Sequence, residues 1–257
     1  MENKIISEGK TTTEAIEKGL KKLNVSRQDV DIKVLEEKKK IIDAGIKLDR
    51  YGLISLAGGN VSMRMPTGEI LVTPSGMIYE DMEPDDVLVM DIDGNIIEGT
   101  NKPSSDTPGI LYIFKHRPDV MATIHTHQPY ATAISLIQKE FRADLTTVGN
   151  ACGGNVAVTE YSSPGSVEMG MDVVKYLGDS LAVILAHHGV MTVGKNLKQA
   201  LTAAVYLEET AKGYLAARAC GEIEHLSDEQ IKQTVEIYKY VGQGTADMPE
   251  GLTDRIK

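Results

Sequence analysis

Short strand-like segments crowd the middle of this chain, and helical segments run before, between and after them. "NVSMRM", "EILVTP", "DVLVMD" and "NIIEGT" are apolar runs of strand length, separated by turn residues such as "PTGE" and "DIDGN". "DVMATIHTH" and "NVAVTEY" read the same way, and "LAVILAHHGVMTVG" gives one or two further strands with little polarity before His187. In "EKKKIIDAGIKLDRYG" the residues Ile41, Ile42, Ala44, Gly45, Ile46 and Leu48 make a broad apolar helix face, with Gly52 as its stop. Helical patterns recur in "TPGILYIFKH", in "PYATAISLI" with proline in its first turn, and in "SPGSVEMGMDVVKYLG". A long one covers "NLKQALTAAVYLEETAKGYLAARACG", and a last one "SDEQIKQTVEIYKYVG". This order predicts an α/β domain whose central sheet is covered by helices.

The beginning of the chain stands apart. "KIISEGK", "TTTEAIEKGLKKLN" and "DVDIKVLEE" predict strand, helix and strand, the last with Val30, Ile32 and Val34 on one face. The expected division is a small α/β appendage over residues 1–37 and a main domain over residues 38–257. The appendage resembles in outline the Jag-type N-terminal module of bacterial RNA-associated proteins. A segment that short buries little core by itself.

A net charge of −10 argues against nucleic acid as a partner of the main domain, because phosphate backbones demand a basic face. A small phosphorylated molecule is still compatible, since backbone N–H groups and hydroxyls bind phosphate locally. No apolar run reaches the roughly 18 residues of a membrane span. "MENKIISEGK" lacks a signal-peptide core, and Cys152 and Cys220 lack metal-type spacing, so a cytoplasmic protein without disulfides is expected.

The histidines carry the chemical signal. His125 and His127 sit at alternate positions and share a face of their strand, with Thr126 as the spacer between them. His187 and His188 end a second strand just before Gly189, while His116 and His225 lie in polar text and are expected at the surface. One H-x-H is more often a pair of exposed polar residues than a ligand pair. Three imidazoles from two strand ends make a common catalytic-metal set that leaves positions open for substrate. "NKPSSDTPG" places Ser104, Ser105 and Asp106 at a helix start, where such residues usually act as caps worth about 1 kcal/mol. The same geometry also directs N–H groups and hydroxyls at an anion. Asn60 in "LAGGNVS" and Ser75 and Gly76 in "TPSGM" lie in turns able to complete such a cradle.

In order, "GGNVSMR", "LVTPSGM", "KPSSDT", "IHTHQPYATA", "ACGGN" and "LAHHGVMTVGKN" closely resemble the class II aldolase/adducin superfamily over roughly residues 38–241. The resemblance implies a three-layer α/β fold with a mostly antiparallel central sheet between helices. It implies that His125, His127 and His188 bind a divalent metal, typically zinc, with manganese or cobalt as alternatives, and that His187 is a neighbour only. Asp106 takes the place of the acid/base, which also touches the metal. Asn60, Ser75, Gly76, Ser104 and Ser105 match the phosphate-binding positions. Tyr240 or Tyr238 matches a C-terminal tyrosine that acts across a subunit boundary in a homotetramer.

The activity so implied is retro-aldol cleavage of a ketose 1-phosphate, such as L-fuculose 1-phosphate or a related deoxyketose phosphate, to dihydroxyacetone phosphate and an aldehyde. The alternative is an L-ribulose-5-phosphate 4-epimerase, which shares the cleavage and re-adds the aldehyde by its other face. "SSDT" favours the epimerase; "ACGGN" and the short segment after "VAVTEY" favour the aldolase. Thr147 stands where aldolases carry a proton-donating tyrosine, which tells against fuculose phosphate itself. A dehydratase or decarboxylase of the superfamily and a non-catalytic adducin-like binding module complete the alternatives. The module is disfavoured because all three histidines are kept.

Overall fold

The computed structural model describes residues 5–9, 12–26 and 35–238. Four strands follow one another as a meander: β1 (Asn60–Arg64), β2 (Ile70–Val72), β3 (Leu88–Met90) and β4 (Ile96–Glu98). β5 (Ala122–Thr126) pairs with the free side of β1. A short pair, β6 (Glu140–Phe141) and β7 (Val156–Ala157), stands apart, and β8 (Ala182–Leu185) and β9 (Gly189–Gly194) form a hairpin. The seven-stranded sheet runs β4-β3-β2-β1-β5-β9-β8, antiparallel at each of these pairings.

The helices are α1 (Thr12–Leu23), α2 (Leu35–Arg50), α3 (Thr107–His116), α4 (Pro129–Ile134), α5 (Thr146–Cys152), α6 (Val167–Leu177), α7 (Leu197–Cys220) and α8 (Asp228–Tyr238). On one face of the sheet Val61, Leu71, Val89 and Ile124 pack against Ile41 and Leu48 of α2 and Ala200 and Ala204 of α7. On the other, Ile70, Val72, Leu88, Met90 and Met191 meet Ile110 and Phe114 of α3 and Met169 and Val173 of α6. The side chains of β2 thus alternate between two covered faces and are all fully buried, which is why the sequence of this strand shows no polar alternation. Each such large apolar side chain contributes about 1.5–3 kcal/mol by leaving water.

Two local features set the approach of the layers. α2 ends at Gly52, whose φ of 70° opens the path for the Leu53 N–H to reach the Leu48 carbonyl at 2.9 Å. Where α3 crosses α6, a Cβ on Gly170 would lie 2.3 Å from the Gly109 carbonyl oxygen. Only glycine at this crossing lets α6 hold α3, and α3 carries Asp106 at its start.

Two expectations need correction. Leu35, Glu36 and Glu37 form the first turn of α2 rather than the end of a strand, and "DVDIKV" before them lies outside the described residues. Ile5–Gly9, within the expected first strand, makes no ladder with another described residue and lies beside α1, where a Cβ on Gly19 would touch Ser7. A further helix, α5, is formed by "TTVGNAC", which carries no helical pattern of its own. Its β-branched residues and internal glycine are poor helix formers. Val148, Ala151 and Cys152 hold it by packing in the cluster of Leu207 and Tyr214 of α7 and Ile231 of α8.

Candidate active site

Neighbouring strand ends deliver the polar groups. Asn60 at the start of β1 is directly opposite His125 on β5, and His125 is opposite Met191 on β9. His125 therefore projects to the α3 side of the sheet. Thr126, the expected spacer, is fully buried toward α7 and donates to Gln128 Oε1 at 2.6 Å. His127 follows immediately beyond the strand, and its Nε2 lies 3.0 Å from Nε2 of His125.

His188 arrives from the turn of the β8–β9 hairpin. The His188 N–H donates to the Leu185 carbonyl at 3.1 Å, and His187 between them has φ 57°. A side chain in that left-handed region costs about 1–2 kcal/mol. Two bonds offset the strain: Ala186 N–H to Thr159 Oγ1 at 3.2 Å, and His187 N–H to Ser135 Oγ at 3.0 Å. The twist leaves His187 exposed and turns His188 inward. The ligating nitrogens of His125, His127 and His188 lie within 4.8 Å of one another. His116 and His225 are exposed.

The carbonyl of Val190 can only accept, so Nδ1 of His125, 2.9 Å away, carries the hydrogen and Nε2 keeps its lone pair for the cluster. Burial lowers His125 to about 4; the Asp106 carboxylate opposes this, and the other two rings add to it. His188 is lowered as well, first by burial and then by His127. Three imidazoles converging on one point, with a carboxylate beside them, are the donor set that fits a divalent cation.

Asp106 occupies the cap position of α3 without making a cap hydrogen bond. Its Oδ2 instead accepts from Asn60 Nδ2 at 2.8 Å and lies 3.7 Å from His125 Nε2. The local turn is held by Ser104, whose carbonyl accepts from the Thr107 N–H and from Thr107 Oγ1. Ser104 Oγ accepts from the Asp106 N–H at 3.4 Å. Relieved of capping, the carboxylate of Asp106 is available to the histidine cluster.

Beside it opens a cleft of about 120 Å³ formed by three turns, Ala57–Gly59, Pro74–Gly76 and Ser104–Asp106, together with His127. Backbone bonds tie the second and third turns together: Ser75 N–H to the Lys102 carbonyl at 2.8 Å and Ser104 N–H to the Thr73 carbonyl at 3.1 Å. Ser75, Gly76, Ser104 and Ser105 thus meet at one cleft, although 28 or more positions separate the two pairs along the chain for Gly76 and Ser104. Among the described residues no lysine or arginine lines it, so an anion there is met by hydroxyls and by the start of α3. Asn60 is buried behind this cleft with its amide on Asp106. Tyr240 lies outside the described residues, and Tyr238 closes α8. Sequence reasoning assigned no role to Gln128, Ser135, Thr159 and Glu208, which hold the site from behind.

The site tolerates no bulk at Gly189. A Cβ there would lie 2.2 Å from the Thr126 carbonyl oxygen and 3.1–3.2 Å from the rings of His125 and His127. Gly189→Ala is expected to cost about 1–3 kcal/mol, read as a lower midpoint in urea, because the hairpin must move off β5. The same shift carries His188 away from its partners, so cation affinity should fall with stability.

Residues 39–215 match the family model described as class II aldolase and adducin N-terminal domain, and residues 7–42 match the one described as Jag N-terminus. A 5-deoxy-D-ribulose 1-phosphate aldolase of Bacillus thuringiensis serovar kurstaki is 32% identical over 209 residues, spanning 81% of this chain and 98% of its own length. An L-ribulose-5-phosphate 4-epimerase of Salmonella paratyphi C is 33% identical over 193 residues, 70% of this chain and 85% of that one. Among solved structures, an L-fuculose 1-phosphate aldolase superimposes with a TM-score of 0.75 at 32% identity, covering 79% of this chain and 96% of its own. With its antiparallel sheet between helical layers and its three converging histidines, the chain belongs to the class II aldolase and adducin family.

Proposed function

We propose that the protein is a divalent-cation-dependent aldolase that cleaves a ketose 1-phosphate to dihydroxyacetone phosphate and an aldehyde. The observation that carries this reading is the meeting of three imidazole nitrogens within 4.8 Å, with an Asp106 oxygen 3.7 Å from His125 Nε2, beside a hydroxyl-lined cleft. A deoxyketose phosphate is the favoured substrate class, supported by the name of the relative from Bacillus thuringiensis and by Thr147 in place of a tyrosine.

In this reading Ser75, Gly76, Ser104 and Ser105 hold the phosphate, with Asn60 behind them. His125, His127 and His188, joined by Asp106, hold zinc, or manganese or cobalt in its stead. The cation supplies Lewis-acid stabilisation for the negative charge that develops as the carbon–carbon bond breaks. When that bond breaks, its electron pair stays with the phosphate-bearing fragment, and the hydroxyl carbon of the other fragment becomes the aldehyde. Asp106 takes the proton that this hydroxyl gives up and passes it to the electron-rich carbon of the phosphate-bearing fragment, while Asn60 Nδ2 holds its Oδ2 in place. Tyr240, or Tyr238, serves the aldehyde end from a neighbouring subunit of a homotetramer in the cytoplasm. The same reading divides the chain into an N-terminal appendage over residues 1–37 and a catalytic domain over residues 38–257.

A second reading, an L-ribulose-5-phosphate 4-epimerase, is favoured by aspartate at position 106 and by the 33% identical relative. The two are separated by incubating the enzyme with ketose 1-phosphates and with L-ribulose 5-phosphate, before and after chelation. Aldehyde release that stops on chelation and returns with zinc is the expected result. Inversion at C4 without net aldehyde release decides for the epimerase, and aldehyde release unaffected by chelation refutes both.

A further inference from the structure

The backbone joint that carries His127 is gripped from behind by α7, and the grip is complete enough to account for every N–H at the start of α4. Gln128 is the cap residue of α4 but gives it no side-chain cap. Pro129 has no N–H to satisfy. The next two donors, Tyr130 N–H and Ala131 N–H, go to Glu208 Oε1 and Oε2, each at 2.9 Å. The fourth, Thr132 N–H, reaches the Gln128 carbonyl at 3.1 Å. Glu208 lies one helical turn beyond Ala204, whose carbonyl accepts from Gln128 Nε2 at 3.2 Å. Both side chains are buried, Gln128 fully and Glu208 to within 7%.

The ring of His127 needs this support more than its partners do. His125 is oriented by the Val190 carbonyl, whereas the bond that the His127 ring makes among the described residues is the one to His125 Nε2. Its position is set by the backbone on either side, Thr126 in β5 and Gln128 at the start of α4. A carboxylate drawn into the protein costs desolvation, and the two N–H bonds offset it. A serine at position 128 would cap the same N–H groups locally without burying a charge. The capping carboxylate comes instead from 80 positions along the chain, so it fixes the joint to α7.

We infer that Glu208 is a positioning residue for His127, holding the end of β5 and the start of α4 so that the third imidazole meets His125 and His188. The inference rests on the cation site proposed above. It is tested by titrating zinc into the cation-free full-length protein by competition with a chromophoric chelator, in wild type, Glu208→Ala and Glu208→Gln. Glu208→Ala is expected to weaken zinc about tenfold to a hundredfold with its far-UV circular dichroism retained. Glu208→Gln keeps one acceptor and is expected to fall between it and the wild type. Zinc affinity equal to wild type in either folded variant, with only the melting temperature lowered, overturns the inference, since Glu208 would then be a structural cap alone. A wild type that binds no zinc overturns the cation site, and the role of Glu208 with it.

Discussion

Aldehyde release by His125→Ala is expected to fall at least about a thousandfold, because the substitution removes the ring on which the other site groups converge. His125 Nε2 is 3.0 Å from His127 and 3.7 Å from Asp106, so no neighbouring side chain takes its place. A stability measurement separates loss of the site from loss of the fold. In the cation-free wild type, burial holds His125 near 4 while the unfolded chain binds its proton near 6.5. Between these values the unfolded state binds more protons, so folding stability contributed through this group falls as pH drops from 6.5 to 4 and is level above that window. The variant lacks this group and should lose less stability over the same range in urea melts. A variant that keeps its activity shows that the histidine cluster is not the reaction centre.

Asp106→Asn is expected to lower kcat by about 10²–10⁴-fold with little change in KM, the range of a lost general acid or base. The substitution preserves shape and leaves an oxygen to accept from Asn60. Ser75, Ser104 and Ser105, which line the cleft, are untouched, which is why binding should persist while the proton step fails. Steady-state kinetics on the best ketose phosphate give both constants. A kcat within tenfold of wild type would assign the proton transfer to another group.

Much of the fold was legible because its elements carry local signals. "TPGILYIFKH" is α3 residue for residue, and the proline of "PYATAISLI" opens α4. Burial on both faces removed the alternation that marks an ordinary strand, yet the runs were short and bounded by turns, so β2 and β3 could still be read. α5 was not legible, because "TTVGNAC" becomes helical through contacts with α7 and α8 rather than through propensity. At the site, the period of two put His125 and His127 on one face. Which of His187 and His188 turns inward depends on the φ of 57° at His187, which no periodicity encodes; the family resemblance named it. Position alone favoured Asp106 as a helix cap, whereas its carboxylate reaches Asn60 and the histidines. Glu208 was beyond reach, since its partners Tyr130 and Ala131 are 77 or more positions away.

Metal content measured alongside turnover tests the central claim most directly. Protein purified without chelator is predicted to carry about one divalent cation per chain, to lose aldehyde release in proportion to cation removed, and to recover it on adding zinc. Full turnover by protein stripped of metal would contradict the account.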